Sequence, residues 1–272
     1  MVLPSDEDVR AAAAALGLDV RDEDLPLYRQ AVGTQLARLE EFVHADLDES
    51  PPPVRYPKRD RGHRPSREEN PYNAWLWRCR IHGAEEGCLA GKTVGFKDHI
   101  AVAGLPLTFG SRALEHVVPD VDATVVARVL DAGGTIVGKN MLNGFTGLAG
   151  VSGVGDYGRP LNPHAPDHVT GGSSSGSAAA VAAAEVDISF GGDQGGSIRI
   201  PASWCGVLGL KPTFGLVSHF GIGFGWDQSL DHVGPLARRA EDLAAALEAV
   251  AGYDALDPRQ RREAPERLDV LD

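Results

Sequence analysis

Thirty-two residues, Thr170 to Pro201, limit what this chain can fold into more than any other stretch: TGGSSSGSAAAVAAAEVDISFGGDQGGSIRIP. Two glycine-rich, serine-bearing turns flank a small-residue helix and a short strand. The first turn is Gly171-Gly172-Ser173-Ser174-Ser175-Gly176, and the second runs from Gly191 to Ser197. Glycine admits positive φ and lets backbone N–H groups approach a ligand closely. Two such turns brought together form an anion-stabilising pocket that contains serine nucleophiles.

The surroundings of this stretch read as an α/β chain. VDATVVARVLDA (121–132) is an amphipathic helix stopped by Gly133-Gly134, and Thr135–Gly138 follows as a strand of the βαβ kind. Ser174–Ala184 is a helix of very small residues, Val186–Phe190 a strand, and 238–251 a helix closed by Gly252. Leu89–Ile100 contains a short buried strand ending at Lys97. Alternating strands and helices imply a sheet with helices on its faces. Upstream, 5–17 reads as a helix with Ser5 as N-cap and Gly17 as stop, and 22–47 carries apolar residues at helical spacing. The Pro51-Pro52-Pro53 run and the charged segment after it read as an extended, solvated linker, with a boundary near Tyr72. Residues 1–72 are thus a helical extension plus linker and 73–272 the core. The tail after the last helix is charged and weakly structured.

Charge and cysteine content narrow the function. The net charge of −12, with no basic stripe, argues against nucleic acid or an anionic membrane as partner. No apolar run is long enough to span a bilayer, and the acidic N-terminus lacks a signal-peptide core. Three sparse cysteines, Cys79, Cys88 and Cys205, fit a reducing cytoplasm and no disulfide framework.

Several motif matches fail on context. Gly153–Gly158 spells G-x-G-x-x-G, but Arg159-Pro160-Leu161-Asn162-Pro163 cannot start the helix a dinucleotide site needs. Gly91-Lys92-Thr93 lacks the earlier P-loop glycine, since Glu86 stands there. His164 and His168 are separated by Pro166, and no Cys/His/Asp cluster completes a metal shell around them. Gly172–Gly176 also fits the G-x-S-x-G nucleophile elbow with Ser174 at its centre. That triad could be completed by Asp227 or Asp231 and His232, although a loop, not a strand, leads into the turn. The stronger combination is Lys97, Ser173 and Ser197. Serine needs a base, and a buried neutral lysine can serve because desolvation lowers its pKa.

Four stretches carry a family resemblance: GKTVGFKDHIAVAGLPLTFGS, GGSSSGSAAAVAA, GGDQGGSIRIPASWCGVLGLKPTFGLVS and SLDHVGPLARRAEDLAAAL. The chain resembles the amidase signature family, and the 24-residue separation of Ser173 and Ser197 fits that family's pattern. Its helical extension and its GGDQGGSIR form are most similar to bacterial enantioselective amidases. The resemblance implies a mixed β-sheet core covered by helices, preceded by a small α-helical extension, with the fold incomplete at the C-terminal side. It implies a Ser–cis-Ser–Lys triad without cofactor or metal: Ser197 as nucleophile, Ser173 beside a cis peptide bond as relay, and Lys97 as terminal base. Backbone N–H groups of Gln194, Gly195, Gly196 and Ser197 would form the oxyanion hole. Ser174 would hydrogen-bond Lys97, while Asp193 and Arg199 would support the second turn. The implied reaction takes a small-molecule amide to its acid and ammonia. The alternatives are an amidotransferase component of the A type that releases ammonia from glutamine, and an inactive truncated fragment. A homodimer through the N-terminal helices is also implied. The chain departs from the family where Ser175 replaces a glycine, at Gln194, and at Leu142-Asn143, where an acidic pair often stands.

Overall fold

The computed structural model describes residues 4–45, 50–142, 155–223 and 229–261. The contacts divide the chain into two compact units, Met1–Ser50 and Pro51–Asp272. In the first unit, helix α1 (Asp6–Ala15) begins with a capping box. Asp8 N donates to Ser5 Oγ at 3.1 Å and Ser5 N donates to Asp8 Oδ2 at 2.8 Å. Helix α2 (Leu25–Val43) follows, starting three residues later than predicted because Asp22–Asp24 form a 3₁₀ turn. It ends at Val43, with His44 as C-cap, short of the predicted end at residue 47.

The second unit holds a seven-stranded mixed sheet. Its strands are β1 (Asp60–His63), β2 (Trp75–His82), β3 (Thr93–Lys97), β4 (Thr135–Asn140), β5 (Ile188–Asp193), β6 (Leu208–Gly209) and β7 (His232–Ala237). The order across the sheet is β1-β2-β4-β3-β5-β7-β6. The central β4, β3 and β5 are parallel, and the outer pairings are antiparallel. Helices α3 (Thr124–Asp131) and α6 (Ala240–Val250) cover one face. There Phe96 and Phe190 stack with centroids 5.4 Å apart, in a core with Ile136, Val129 and Val250. Helices α4 (Ser175–Ala182) and α5 (Arg199–Trp204) pack on the other face, around Trp75, Val137, Ile198 and Leu236. The smallness of α4 has a steric cause. A Cβ at Gly176 would lie 2.4 Å from Ala74 O and 2.6 Å from Met141 N, so the helix sits directly on backbone.

Three expectations need correction. The contacts place the boundary at Ser50/Pro51, not near Tyr72: the charged segment is mostly exposed, as expected, but it is tied to the core and is not a free linker. Arg59 is buried against Asp122, Tyr56 Oη donates to Asp131 at 3.0 Å, and β1 pairs with β2. Arg55 and Arg59 pair with acids distant in sequence, so the arm is fastened where composition alone reads a linker. Helix α3 starts at Thr124 rather than 121, since Asp122 accepts from Arg59 and from Ala103 N. The strand predicted to end at Phe190 runs on through Gly191 and Gly192 to Asp193, paired with β7. Strands β1, β2, β6 and β7 had no counterpart in the sequence reading. No helix among the described residues is long and apolar enough to cross a membrane.

Candidate active site

The parallel centre of the sheet delivers Lys97. It is the last residue of β3, in register with Asn140 on β4, and only 3% exposed. Burial disfavours its ammonium and lowers the pKa to about 7, while the charges of Asp193 and Asp231 pull weakly the other way. Its Nζ lies 2.8 Å from Ser173 Oγ. The Gly172–Ser173 peptide bond is cis.

The two turns are joined by backbone. Ser174 N donates to Ser197 O at 3.3 Å. The Ser174 hydroxyl donates to Gly192 O at 3.2 Å and accepts from Gly192 N at 3.3 Å. Ser174 therefore clamps the first turn to β5, whereas the resemblance implied a hydrogen bond to Lys97, whose Nζ instead meets Ser173. Glycine is required on that strand. A Cβ at Gly191 would fall 2.6 Å from Ser174 Oγ, and one at Gly192 would fall 2.4 Å from His99 Nε2. These two residues are contact points of a strand, not turn residues.

The second turn is built on the Asp193 carboxylate. It accepts from Gly196 N at 2.8 Å, Ile198 N at 3.1 Å, Arg199 Nε at 3.0 Å and Arg199 Nη2 at 2.9 Å. Burial opposes its ionisation, but the Arg199 guanidinium and the backbone amides outweigh burial and hold its pKa below the usual carboxylate value. Gly196 thus cannot serve as an oxyanion donor in this conformation, because its N–H is committed to Asp193. Gln194 and Gly195 are exposed, and open space surrounds Gly195. Ser197 is half-buried, just ahead of α5.

The elbow alternative is not assembled. The described residues between β4 and Ser174 contain no strand, and the Ser174 hydroxyl is taken by Gly192. His232 Nδ1 lies 2.6 Å from Leu230 O, and its ring meets Phe214 edge-on. Asp227 lies outside the described residues. Of the G-x-G-x-x-G stretch, Gly155–Gly158 forms a turn with no helix after it, and Gly153 and Val154 are not described. Among the described residues no three His, Cys, Asp or Glu side chains gather as a metal site.

Residues beside Lys97 that the sequence reading left without a role also shape the site. Asp98 is buried and accepts from Thr108 Oγ1 at 2.6 Å and Thr108 N at 3.1 Å, with Lys139 Nζ 3.4 Å away. Lys139 also donates to Pro106 O at 3.1 Å, so the pair anchors the loop that follows β3. Asn140 Oδ1 accepts from Ser189 Oγ at 2.8 Å, joining β4 to β5 across β3. The adjacent Lys97-Asp98 charges and the Gly138-Lys139-Asn140 run were the available signal.

A mixed sheet thus presents a buried lysine to a serine beside a cis peptide, with a second serine turn bonded to the first. The profile of the Amidase family matches residues 74–270, and the chain belongs to that family. It is 47% identical over 195 residues to the A-type component of the glutamyl-tRNA(Gln) amidotransferase of Haloarcula marismortui, covering 72% of this chain and 45% of the relative. It is 44% identical over 212 residues to an enantioselective amidase of Rhodococcus rhodochrous, covering 76% and 40%. Among solved structures, the peptide amidase of Stenotrophomonas maltophilia superposes with a TM-score of 0.62 at 41% identity, over 67% of this chain and 38% of that one. The A-type component of the glutamyl-tRNA(Gln) amidotransferase of Thermotoga maritima superposes with a TM-score of 0.66 at 36% identity, over 75% and 44%. The chain spans less than half the length of these relatives.

Proposed function

We propose that the protein is an amidase that hydrolyses a carboxylic acid amide through a Ser197 acyl-enzyme. The observation that carries this reading is the 2.8 Å contact between Ser173 Oγ and a lysine whose pKa lies near 7. A lysine of that kind is partly neutral at physiological pH and can accept a proton. Ser197 Oγ attacks the carbonyl carbon and passes its proton to Ser173 Oγ, while the Ser173 proton moves to the neutral Lys97 Nζ. The tetrahedral oxyanion is stabilised by backbone N–H groups of the second turn, with Gln194 and Gly195 as the donors. The C–N bond then breaks, and Lys97 returns a proton through Ser173 to the leaving nitrogen, so ammonia departs. Water attacks the acyl-enzyme by the same relay, releasing the acid and restoring Ser197. Asp193 and Arg199 hold the second turn, and Ser174 holds the first turn to β5.

We place the reaction in the cytoplasm, a reading consistent with three free thiols at Cys79, Cys88 and Cys205. We assign self-association to α2, which exposes Leu27, Leu39 and Phe42. Ammonia release from aliphatic and aromatic amides, wild type against Ser197→Ala, tests the activity. Fluorophosphonate labelling mapped by mass spectrometry tests the nucleophile, and an adduct on Ser174 would overturn the assignment. The identity to A-type amidotransferase components supports a second reading, release of ammonia from glutamine for a partner. Glutaminase activity with co-purifying partner chains, and no turnover of simple amides, would favour it.

A further inference from the structure

A cavity of about 480 Å³ lies in the second unit, lined by no residue of the two glycine-serine turns. Its lining includes Arg64, Arg67 and Arg159 and no aspartate or glutamate. In a chain with 38 acidic residues and a net charge of −12, that concentration of one sign is unusual. Among the described residues none of the three guanidiniums forms a salt bridge. Glu69, two residues after Arg67, is held by the backbone of the lining residue Ser66 and by His63. It accepts from Ser66 N at 2.8 Å and lies 3.2 Å from His63 Nε2.

The walls of the cavity are fastened to each other. Asn73, at φ 50°, donates from Nδ2 to Tyr157 O at 3.1 Å and Arg159 O at 3.2 Å. Leu161 N donates to Tyr72 O at 2.8 Å. Arg64 is packed over the Tyr157 ring, with its guanidinium carbon 4.2 Å from the centroid. The cavity also shares a residue with the frame of the first turn. Met141 lines it, directly follows β4, and accepts from Gly176 N at 2.9 Å.

We propose that this cavity is a carboxylate-binding site that selects amides bearing a free carboxylate remote from the scissile bond. Guanidinium forks match carboxylate geometry in pairs. The volume suits a small ligand. The end of β4 is the carboxyl end of a parallel strand, where ligands of α/β sheets bind. As a substrate preference this rests on the amidase reading of Lys97, Ser173 and Ser197. As a binding site it does not.

The test uses the whole chain, with glutarate as the binding probe and glutaramate and neutral pentanamide as substrates. Calorimetry should show saturable glutarate binding, weakened at least tenfold in the triple variant Arg64→Gln, Arg67→Gln, Arg159→Gln. If the triple variant does not melt like the wild type, Arg67→Gln alone, on an exposed turn, replaces it. In the variant, kcat/KM for glutaramate should fall at least tenfold more than for pentanamide. Absence of glutarate binding, binding unchanged in the variant, or inorganic phosphate displacing glutarate at equal concentration would each overturn the proposal. A chain that hydrolyses pentanamide but ignores glutarate sinks this site and leaves the amidase reading intact. Arginine-dependent glutarate binding without any amide hydrolysis does the reverse: the binding site stands and the amidase reading, with the substrate preference built on it, falls.

Discussion

At the scale of single residues, Lys97 controls the pH response. The base must be neutral, so activity should rise with pH through about 7 and level off above it. The negative charge of Asp231 raises the Lys97 pKa, so Asp231→Asn should move the midpoint of the pH–rate profile downward. An unmoved or raised midpoint would show that another group titrates in the profile. Stability carries the same signature. The folded pKa, about 7, lies below the ordinary lysine value of 10.5. Between those two pH values the unfolded chain binds a proton that the folded chain does not, so stability increases as pH rises across that window. The penalty for burying Lys97 is therefore fullest at and below pH 7 and has vanished above 10.5. Lys97→Met should abolish activity yet raise the melting temperature at pH 7, with the gain shrinking steadily toward pH 10. Thermal melts of both proteins across that range check the sign.

At the scale of elements, the seat of α4 decides whether the first turn is held. Gly176→Ala drives a Cβ against the backbone of Ala74 and Met141, which cannot step aside as a side chain can. Overpacking of this kind costs about 1–3 kcal/mol. Denaturant unfolding should register that loss, and turnover should fall with it because Gly176 N is bonded to Met141 O. The same contacts show which parts of the site were legible beforehand. Ser173, Ser197 and Lys97 could be named because so many hydroxyls and glycines are concentrated around a strand-end lysine. Gly191 and Gly192 were misread as turn because glycine signals backbone freedom, whereas here it signals missing volume next to Ser174 and His99. The alternation of Trp77, Cys79 and Ile81 was a visible strand pattern for β2, masked by the consecutive buried Trp75 and Leu76, where the register shifts. Pro235 concealed β7, although its carbonyl accepts from Leu210 N at 3.0 Å without needing its own N–H. The roles of Asp98 and Arg59 depend on partners brought close only by folding, and no local pattern encodes them.

At the scale of the whole molecule, the two edges of the sheet differ. Beside β1 the buried Arg59–Asp122 pair ties the arm down, and Arg59→Met should cost about 3–5 kcal/mol by stranding a buried carboxylate. At the other edge, β6 is two residues long, with Leu208 and the neighbouring Trp204 about half exposed. An apolar edge with no further strand on it among the described residues invites association. Beside the α2 contact this edge is a second one: Leu208→Lys should diminish, without abolishing, the concentration-dependent self-association read by sedimentation, and an equally associated variant would leave α2 as the sole contact. The placement of Lys97 bears on how such a molecule diversifies. The base stands on a strand bonded to parallel neighbours on both sides, while both serines stand on turns. Changes of specificity can accumulate in loops and turns without displacing the proton acceptor, but a shift of β3 would move its neighbours with it. In a saturation library selected for activity, β3 should be nearly invariant while the rim around Arg64 and Arg159 drifts, so that new substrates are reached by remodelling walls around a fixed post.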